Sequence, residues 1–260
     1  MDFQSYQDEK RYYEEQAPEQ EFLDWYANQD RPTYPKPSVT VDLIALRYHD
    51  DHLQILLVQR KRNPDRLKWA LPGGFIEPND HDITAAAIRE TKEETGLQLT
   101  PSQLIQLPAV GTQNRDPRGW TITNPHIVLF KASQDTHVVA QDDANNAQWF
   151  DVQLNNNKIN ITGVTDYAFD HQQLITNALL YLKHQVKANR QSINYLTNLL
   201  PQPFTIKQLL TVFHALNPDE YTSTSTTNSF FSYYKSQLQE VNRIKKPTGR
   251  PARAFKFKAN

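Results

Sequence analysis

Arg89-Glu90-Thr91-Lys92-Glu93-Glu94-Thr95-Gly96 is the most informative stretch of this 260-residue chain. Glu90, Glu93 and Glu94 have i, i+3, i+4 spacing, so on a helix their carboxylates project from one face. Like charges held this close repel unless a cation or solvent lies between them. Hard oxygen ligands of this kind suit Mg²⁺ or Mn²⁺ shared with the phosphate oxygens of a ligand. Ordinary exposed acidic helices have the same spacing, so the surrounding sequence must decide between the two interpretations.

The surrounding residues predict a mixed α/β domain. Ile83–Thr95 has a helical pattern that Gly96 ends, and Gly73-Gly74 precedes it. Apolar runs on both sides predict strands, and a long amphipathic pattern predicts a further helix. The predicted strands are Val39–Tyr48, Leu53–Arg60, Leu97–Leu99, Leu104–Val110, Trp120–Lys131 and Gln148–Asp151, and the predicted helix is Asp166–Lys187.

The glycine pair followed by this acidic helix resembles the Nudix box, G-x5-E-x7-R-E-U-x-E-E-x-G-U, in which U is bulky and aliphatic. The resemblance implies an α/β fold, a Nudix α/β/α sandwich with a mixed sheet. It also implies divalent metal and hydrolysis of a nucleoside diphosphate linked to another group. Carried over by position, the metal ligands are Glu90, Glu93, Glu94 and the Gly73 carbonyl. The catalytic residues are Glu93, Glu94 and Arg89, the last of which orients the glutamates.

The match departs from the family pattern at the loop end. One extra residue lies between Gly74 and Arg89, and the upstream glutamate position then falls on His81, flanked by Asp80 and Asp82. Thr91 replaces the bulky aliphatic residue. The metal-binding end is therefore intact, the loop end is altered, and hydrolytic activity is left open.

A longer resemblance, from about Ser38 to Phe257, is to the Nudix-related transcriptional regulators of NAD metabolism (the NrtR family). It implies an ADP-ribose-sensing Nudix domain, a C-terminal winged helix that binds double-stranded DNA, and a homodimer. The segments that carry it are Val39–Ile44, Leu57–Arg60, Trp69–Phe75, Arg115–Trp120, Ala168–His171 and Gly249–Arg253.

Arg115-Asp116-Pro117-Arg118-Gly119-Trp120 also has the chemistry of a ligand loop. Guanidinium groups bind pyrophosphate bidentately, and an indole offers a plane to adenine or ribose. The same residues suit a plain surface turn, but a place between two strands of a Nudix domain favours the ligand. The predicted ligand-binding residues are Arg60, Gly74, Phe75, Arg115, Asp116, Arg118 and Trp120. We expect His171, beside Asp170, to be structural.

Composition sets limits on the class of protein. The chain contains no cysteine, which excludes disulfides and thiolate zinc sites. It has no apolar run near the ~20 residues of a membrane span and no apolar N-terminal signal segment. We therefore expect a soluble, cytoplasmic protein that does not associate with membranes.

Charge is divided unevenly along the chain. Residues 188–260 contain ten basic and three acidic residues, a net charge of +7, so the remainder carries −8. A basic unit most simply meets phosphate, although a solvated basic tail gives the same count. We expect an N-terminal extension (1–37), a Nudix domain (38–187), a linker (188–203) and a winged-helix domain (204–260).

The last segment predicts helix, helix and then a basic hairpin, which is the order of a small winged-helix domain. The helices are Phe204–Leu216 and Thr227–Glu240, and Pro247-Thr248-Gly249 marks the turn. Polar residues of the second helix and basic residues of the wing suit bases and phosphates. The predicted DNA-binding residues are Asn228, Lys235, Arg243, Lys245, Lys246, Arg250 and Arg253. A packing or dimerisation module is the alternative.

These observations leave three functions open. One is an ADP-ribose-responsive transcriptional regulator, which the basic C-terminal segment favours. Another is a Mg²⁺-dependent hydrolase of ADP-ribose, which the unbroken Arg89–Gly96 stretch favours. The third is a protein-interaction module with an inactive Nudix site.

Overall fold

The computed structural model describes residues 3–29, 35–138, 144–188, 199–216, 227–244 and 250–258. The chain forms two compact units, Met1–Lys36 and Pro37–Asn260. Among the described residues, no helix is both long and apolar enough to span a membrane. The division of the second unit into Nudix domain, linker and winged helix stays a prediction, and residues 189–198 of that linker lie outside the described part.

The first unit is a helical hairpin of α1 (Tyr6–Glu15) and α2 (Glu19–Ala27). Trp25 joins the two helices, because its ring stacks on Tyr13 with centroids 4.9 Å apart and its indole N–H donates to Glu9. The sequence itself indicates one short helix here, over Glu19–Asn28, which matches α2, and gives no indication of α1. Polar and tyrosine residues make up α1, without an apolar period to reveal it.

The second unit is built on an eight-stranded mixed sheet in the order β5-β6-β1-β2-β7-β8, with β3 paired to β2 and β4 paired to β1. Only β1 and β6 run parallel among the strand pairs described. The strands are β1 (Ser38–His49), β2 (His52–Arg60), β3 (Trp69–Ala70), β4 (Gly73–Phe75), β5 (Leu104–Gln106), β6 (Thr121–Leu129), β7 (Ala144–Asn155) and β8 (Lys158–Ile161).

Helices cover both faces of this sheet, as alternation along β1 requires. Leu43 and Ala45 point to the side of α3 (Ile83–Thr95), where Ile88 packs. Ile44 and Leu46 point to the other side, where α4 (His171–Ala188) packs through Leu174, Ile175, Ala178, Leu179 and Leu182. The α/β/α sandwich with a mixed sheet is therefore confirmed.

The C-terminal segment contains α5 (Ile206–Leu216), α6 (Thr227–Tyr234), β9 (Leu238–Ile244) and β10 (Ala252–Phe257). Phe204 forms an isolated antiparallel bridge with Phe255 of β10. α5 also packs against β2 and β7, and Lys207 on α5 lies 3.0 Å from Asp51 in the β1–β2 turn. The expected order of helix, helix and hairpin is present.

Three sequence predictions of local structure are corrected, and one strand was missed. Leu97–Leu99 is buried but not a strand, and β8 was not predicted. The second C-terminal helix ends at Tyr234, since Leu238 begins β9, so Thr227–Glu240 was too long. The long helix starts at His171 instead of Asp166. The reason is that Asp166 and Ala168 bond to the backbone of Trp69 in β3.

Candidate functional site

The acidic helix α3 is fixed at both ends. The Asp82 carboxylate accepts a hydrogen bond from the Ala85 N–H at 2.7 Å, and Gly96 ends the helix in the left-handed region at φ 76°. Thr91 is buried, and its hydroxyl donates to the Ala87 carbonyl at 2.6 Å. Threonine therefore fits at the aliphatic position of the box, because its polar atom is satisfied within the helix.

The carboxylates of Glu90, Glu93 and Glu94 stand in three different environments. Glu94 accepts from the Gly73 N–H at 2.9 Å, and burial raises its pKa to about 8. Burial also raises the pKa of Glu90. Glu93 is about half exposed and accepts from Arg89 at 3.0 Å.

The glycine pair lies where backbone must approach closely. A Cβ on Gly73, whose φ is +154°, would lie 2.1 Å from the Val41 carbonyl oxygen. A Cβ on Gly74 would lie 2.5 Å from the Glu90 carboxylate. A side chain at Gly73 would require the backbone of β1 to move, and one at Gly74 would require the Glu90 carboxylate to move.

Arg89 is held by Asp80, which lies one residue before His81, the position that the family pattern gave for the upstream acid. Asp80 accepts from Arg89 Nε and Nη2, both at 2.9 Å, and these hydrogen bonds hold the pKa of Asp80 below its usual range. His81 has 93% of its side chain exposed and lies 3.4 Å from its neighbour Asp82. Counting forward from Gly74 gives Asp80 as the upstream acid, so the extra residue lies between Asp80 and Arg89.

The donor set suits a hard divalent cation in its chemistry, with three carboxylates on one helix and a carbonyl opposite. A Cβ-free backbone at Gly74 brings the loop against Glu90. Among the described residues, however, no three His, Asp or Glu side chains lie close enough together to hold a metal ion. The metal-ligand roles of Glu90, Glu93, Glu94 and Gly73 stay predictions.

These side chains line a cavity of about 290 Å³ between α3, β4, the end of β2 and the 115–118 loop. Trp120 is the exception among the predicted metal and ligand residues, with 53% of its surface exposed outside this wall. The predicted residues that the cavity brings together are Arg60, Gly73, Gly74, Phe75, Arg89, Glu90, Glu93, Glu94, Arg115, Asp116 and Arg118.

Arg115 is buried, and other protein groups occupy its guanidinium. It donates to both carboxylate oxygens of Asp170, at 2.8 and 3.0 Å, and lies 3.5 Å from Asp42. Asp42 also accepts from the Thr123 hydroxyl at 2.6 Å. Arg115 therefore ties the loop to β1 and to the start of α4. Sequence reasoning did not name Asp42 or Thr123 as site residues, although Asp42 lies in the Val39–Ile44 segment.

His171 is also part of this buried network. Its Nδ1 accepts from the Leu71 N–H at 2.8 Å, its Nε2 lies 3.4 Å from Asp42, and burial lowers its pKa. A neutral ring that accepts a backbone hydrogen bond has the structural role expected of it.

Arg118 is the more accessible arginine, with 46% of its side chain exposed. It pairs with Asp116 through Nε and Nη2, the shortest contact being 2.7 Å. Its guanidinium carbon lies 5.1 Å from the Phe75 ring centroid and 5.7 Å from that of Phe169. Arg60 lies 4.7 Å from the Phe169 ring. Phe169 was not predicted as a site residue.

The predicted DNA-binding residues divide into three groups. Asn228, Lys235, Arg243 and Arg250 are exposed. Lys245 and Lys246 lie outside the described residues. Arg253 donates to both oxygens of Glu240 on the neighbouring strand, at 2.9 and 2.7 Å, and lies 4.8 Å from the Phe231 ring. Arg253 is thus engaged in holding the hairpin against α6.

Comparison with known proteins gives similarity over the whole chain. An ADPR responsive transcriptional repressor of Acinetobacter baylyi is 29% identical over 92% of this chain and 88% of its own. A MutT/nudix family protein of Enterococcus faecalis is 32% identical, with a TM-score of 0.77 over 99% of this chain and 100% of the other. Shewanella oneidensis NrtR, solved with a 27mer DNA, is 27% identical, with a TM-score of 0.58 over 85% and 93%.

Similarity to one further relative extends over about half of this chain. An ADP-ribose pyrophosphatase of Methanocaldococcus jannaschii is 38% identical over 55% of this chain and 73% of its own. Residues 36–167 match the NUDIX domain family, and this range contains the acidic helix, the glycine pair and the 115–118 loop. The chain belongs to the Nudix family.

Proposed function

We propose that this protein is a transcriptional regulator of NAD metabolism that senses ADP-ribose through its Nudix domain and binds DNA through residues 204–260. The observation that carries the proposal is the extent of its similarity to the Acinetobacter repressor. That similarity covers 92% of the chain and so reaches beyond the NUDIX match, which ends at residue 167. If the protein were a hydrolase that needed only its Nudix domain, similarity to a repressor beyond residue 167 would not be explained.

The cavity supports the ligand half of the proposal. A pyrophosphate needs cations at hydrogen-bonding distance, and Arg60 and Arg118 both line the cavity. Arg115 contributes by fixing the loop on which Arg118 lies, since its own guanidinium is bound to Asp170. We therefore assign pyrophosphate binding to Arg118 and Arg60, and a positioning role to Arg115.

The C-terminal segment supports the DNA half. Its net charge of +7 over residues 188–260 attracts phosphate. Four of the predicted residues are exposed: Asn228 on α6, Lys235 directly after it, Arg243 on β9 and Arg250 just before β10. The second helix and the hairpin are the elements that meet DNA in winged-helix proteins. A homodimer would present two such surfaces to one operator.

A second candidate function is hydrolysis of ADP-ribose to AMP and ribose 5-phosphate. The similarity to the Methanocaldococcus pyrophosphatase and the unbroken Arg89–Gly96 stretch favour it. Glu90, Glu93, Glu94 and the Gly73 carbonyl would hold Mg²⁺ or Mn²⁺. Such an ion neutralises pyrophosphate charge and lowers the pKa of water. Arg89, fixed by Asp80, would keep Glu90 and Glu93 in place through its hydrogen bonds at 2.8 and 3.0 Å.

A single mixture tests both functions. The full chain is titrated onto its own promoter duplex in a gel shift at fixed salt, with Mg²⁺, and the mixture is then assayed for AMP after ADP-ribose is added. A regulator retards the duplex, whether or not AMP forms. AMP release that Glu94→Gln abolishes, together with no retardation at low salt, supports the hydrolase and contradicts the regulator.

A further inference from the structure

The loop between β2 and β3 has the opposite charge to the domain around it. Residues 38–187 contain 14 basic and 17 acidic residues, a net charge of −3. The stretch Arg60–Lys68 contains five basic residues and one acid, a net charge of +4. Its basic residues are Arg60, Lys61, Arg62, Arg66 and Lys68, and its acid is Asp65. Positive charge concentrated in an acidic domain favours an anionic partner at this loop.

The loop is held in one conformation by its own contacts. The Arg60 N–H donates to the Lys68 carbonyl at 3.0 Å, and the Leu67 N–H donates to the Arg60 carbonyl at 2.9 Å. Leu67 has a φ of +69°, a left-handed conformation that a bulky side chain rarely adopts and that persists only where neighbours enforce it. Asp65 pairs with Lys68 at 2.7 Å and accepts from the Phe169 N–H at 2.9 Å. The one carboxylate of the loop therefore serves to fix its backbone.

Two cations of this loop reach the cavity of about 290 Å³. Lys61 and Arg62 are exposed and line its wall, next to Arg60. Arg66 is also exposed, but it does not line the cavity. Two residues of chain span at most about 7 Å, so Arg60 and Arg62 can meet the same small ligand. Lys61 and Arg62 form a cationic rim that adds two charges to the arginine pair Arg60 and Arg118.

The pyrophosphate of a nucleoside diphosphate sugar carries two negative charges, which Arg60 and Arg118 already match. These two arginines lie close together, 4.7 and 5.7 Å from the centroid of the Phe169 ring. Burial and the charge of Arg118 both lower the pKa of Arg60, so further cations beside this pair call for further negative charge.

A phosphomonoester has the chemistry that the cationic rim requires. It carries about −1.5 to −2 charge at pH 7 and offers three acceptor oxygens. A lysine ammonium meets such a group as a point charge, and an arginine guanidinium binds it bidentately. A sugar hydroxyl in the same place would leave two cations facing a neutral group.

We infer that the cationic rim of Lys61 and Arg62 binds a third phosphate. The ligand class is then a nucleoside diphosphate sugar that carries a further phosphomonoester on one of its sugars. The inference rests on the proposed function, because Arg60 and Arg118 place the pyrophosphate next to the rim. Lys61 and Arg62 are thus specificity-determining residues, which distinguish a phosphorylated ligand from its unphosphorylated parent.

Calorimetry on the full chain at fixed salt tests the inference with three ligands: ADP-ribose, its 2′-phosphate on the adenosine ribose and its 1″-phosphate on the distal ribose. At least one phosphorylated ligand should bind about tenfold or more tightly than ADP-ribose, because charge-assisted hydrogen bonds are the strong ones. The ligand that gains affinity shows which ribose faces the rim. If neither binds more tightly than ADP-ribose, the third-phosphate subsite is overturned and the proposed function stands. If none of the three binds, both are overturned.

Matched changes within the loop separate a subsite from a general effect of charge. Arg62→Ala should remove most of the affinity difference between the preferred phosphorylated ligand and ADP-ribose, and Lys61→Ala/Arg62→Ala should remove all of it. Arg66→Ala is the control, because it deletes the same charge from the same loop at an exposed residue outside the cavity wall. It should keep the wild-type preference. An equal loss of preference in Arg62→Ala and Arg66→Ala would reduce the effect to long-range electrostatics and overturn the subsite.

Discussion

Asp80 and Arg89 form a two-point ion pair, with Arg89 Nε and Nη2 each 2.9 Å from a different oxygen of the Asp80 carboxylate. The same arginine donates to Glu90, Glu93 and the Phe75 carbonyl. Asp80 therefore holds Arg89 in place, and Arg89 in turn holds the acidic face of α3 and the end of β4. The ion pair is present although the chain has one residue more than the family pattern between Gly74 and Arg89.

We predict that Asp80→Asn destabilises the fold while His81→Asn does not. The change removes charge-assisted hydrogen bonds to an arginine that is largely buried, so the free energy of unfolding should fall by about 1–2 kcal/mol. His81→Asn changes an exposed side chain next to it and should stay within about 0.5 kcal/mol of the wild type. Urea unfolding of both variants measures the difference. If Asp80→Asn were as stable as His81→Asn, Asp80 would not have the positioning role assigned to it.

We predict that replacing Arg118 mainly weakens ligand binding, whereas replacing Arg115 mainly lowers stability. Arg118→Ala should leave stability nearly unchanged and weaken ADP-ribose binding by roughly ten- to a hundredfold, since charged hydrogen bonds contribute about 1.5–3 kcal/mol. Arg115→Ala leaves Asp42 and Asp170 without their cation in a buried network, so it should lower the free energy of unfolding by about 3 kcal/mol. Calorimetry and urea unfolding on both variants decide the matter. A stable Arg115→Ala protein with lost binding would instead make Arg115 the ligand contact.

The sequence revealed the parts of the site whose members are close along the chain. The three glutamates follow from helical spacing, and the glycine pair follows from its place before the helix. Asp42 and Arg115 meet across 73 residues, and Leu71 meets His171 across 100 residues, so only the folded sheet brings them together. Phe169 lies in Ala168–His171, a segment that carries the family resemblance, but its place in the cavity wall depends on a backbone angle that the sequence does not reveal.

Two predicted positions were wrong for a similar reason: the position of the upstream acid and the end of the last helix. Counting back from Arg89 puts the upstream acid of the box at His81, whereas counting forward from Gly74 puts it at Asp80. The sequence alone does not show on which side of that position the extra residue lies. The last predicted helix ran on to Glu240 because Leu238 continued the apolar spacing of Phe230, Phe231 and Tyr234. In the structure Leu238 reaches the same core from β9.

We predict that His171 makes stability fall as the pH is lowered from about 7.5 to 5.5. Burial lowers its pKa in the folded protein, whereas the unfolded chain binds a proton near pH ~6.5. The unfolded state therefore binds more protons below that pH, and the free energy of unfolding drops by up to about 1.4 kcal/mol over this range. His171→Gln keeps a side-chain acceptor for the Leu71 N–H and should lose this part of the dependence. If the free energy of unfolding of the wild type and of His171→Gln changed equally with pH, His171 would not be held neutral in the folded protein.

We predict that DNA binding depends steeply on salt. Each neutralised phosphate contributes about −0.9 to the slope of log K against log salt, and the basic residues of the hairpin supply several such contacts. Lys245→Ala, Lys246→Ala and Arg250→Ala together should flatten the slope and weaken binding to all sequences alike. Arg253→Ala should instead destabilise the hairpin, because Arg253 is paired with Glu240. Asn228→Ala or Lys235→Ala should alter sequence preference, which competition with unrelated duplex DNA measures.

The most direct measurement of the central claim is the affinity of the full chain for its own promoter duplex, followed by fluorescence anisotropy at fixed salt with and without ADP-ribose. Saturation of the cavity is checked by calorimetry on the same sample. We predict that saturating ADP-ribose changes the DNA dissociation constant at least about tenfold, a coupling of about 1.4 kcal/mol. Arg118→Ala should need at least tenfold more ligand for the same change. A DNA dissociation constant that stays the same while ADP-ribose is shown to be bound would contradict the account.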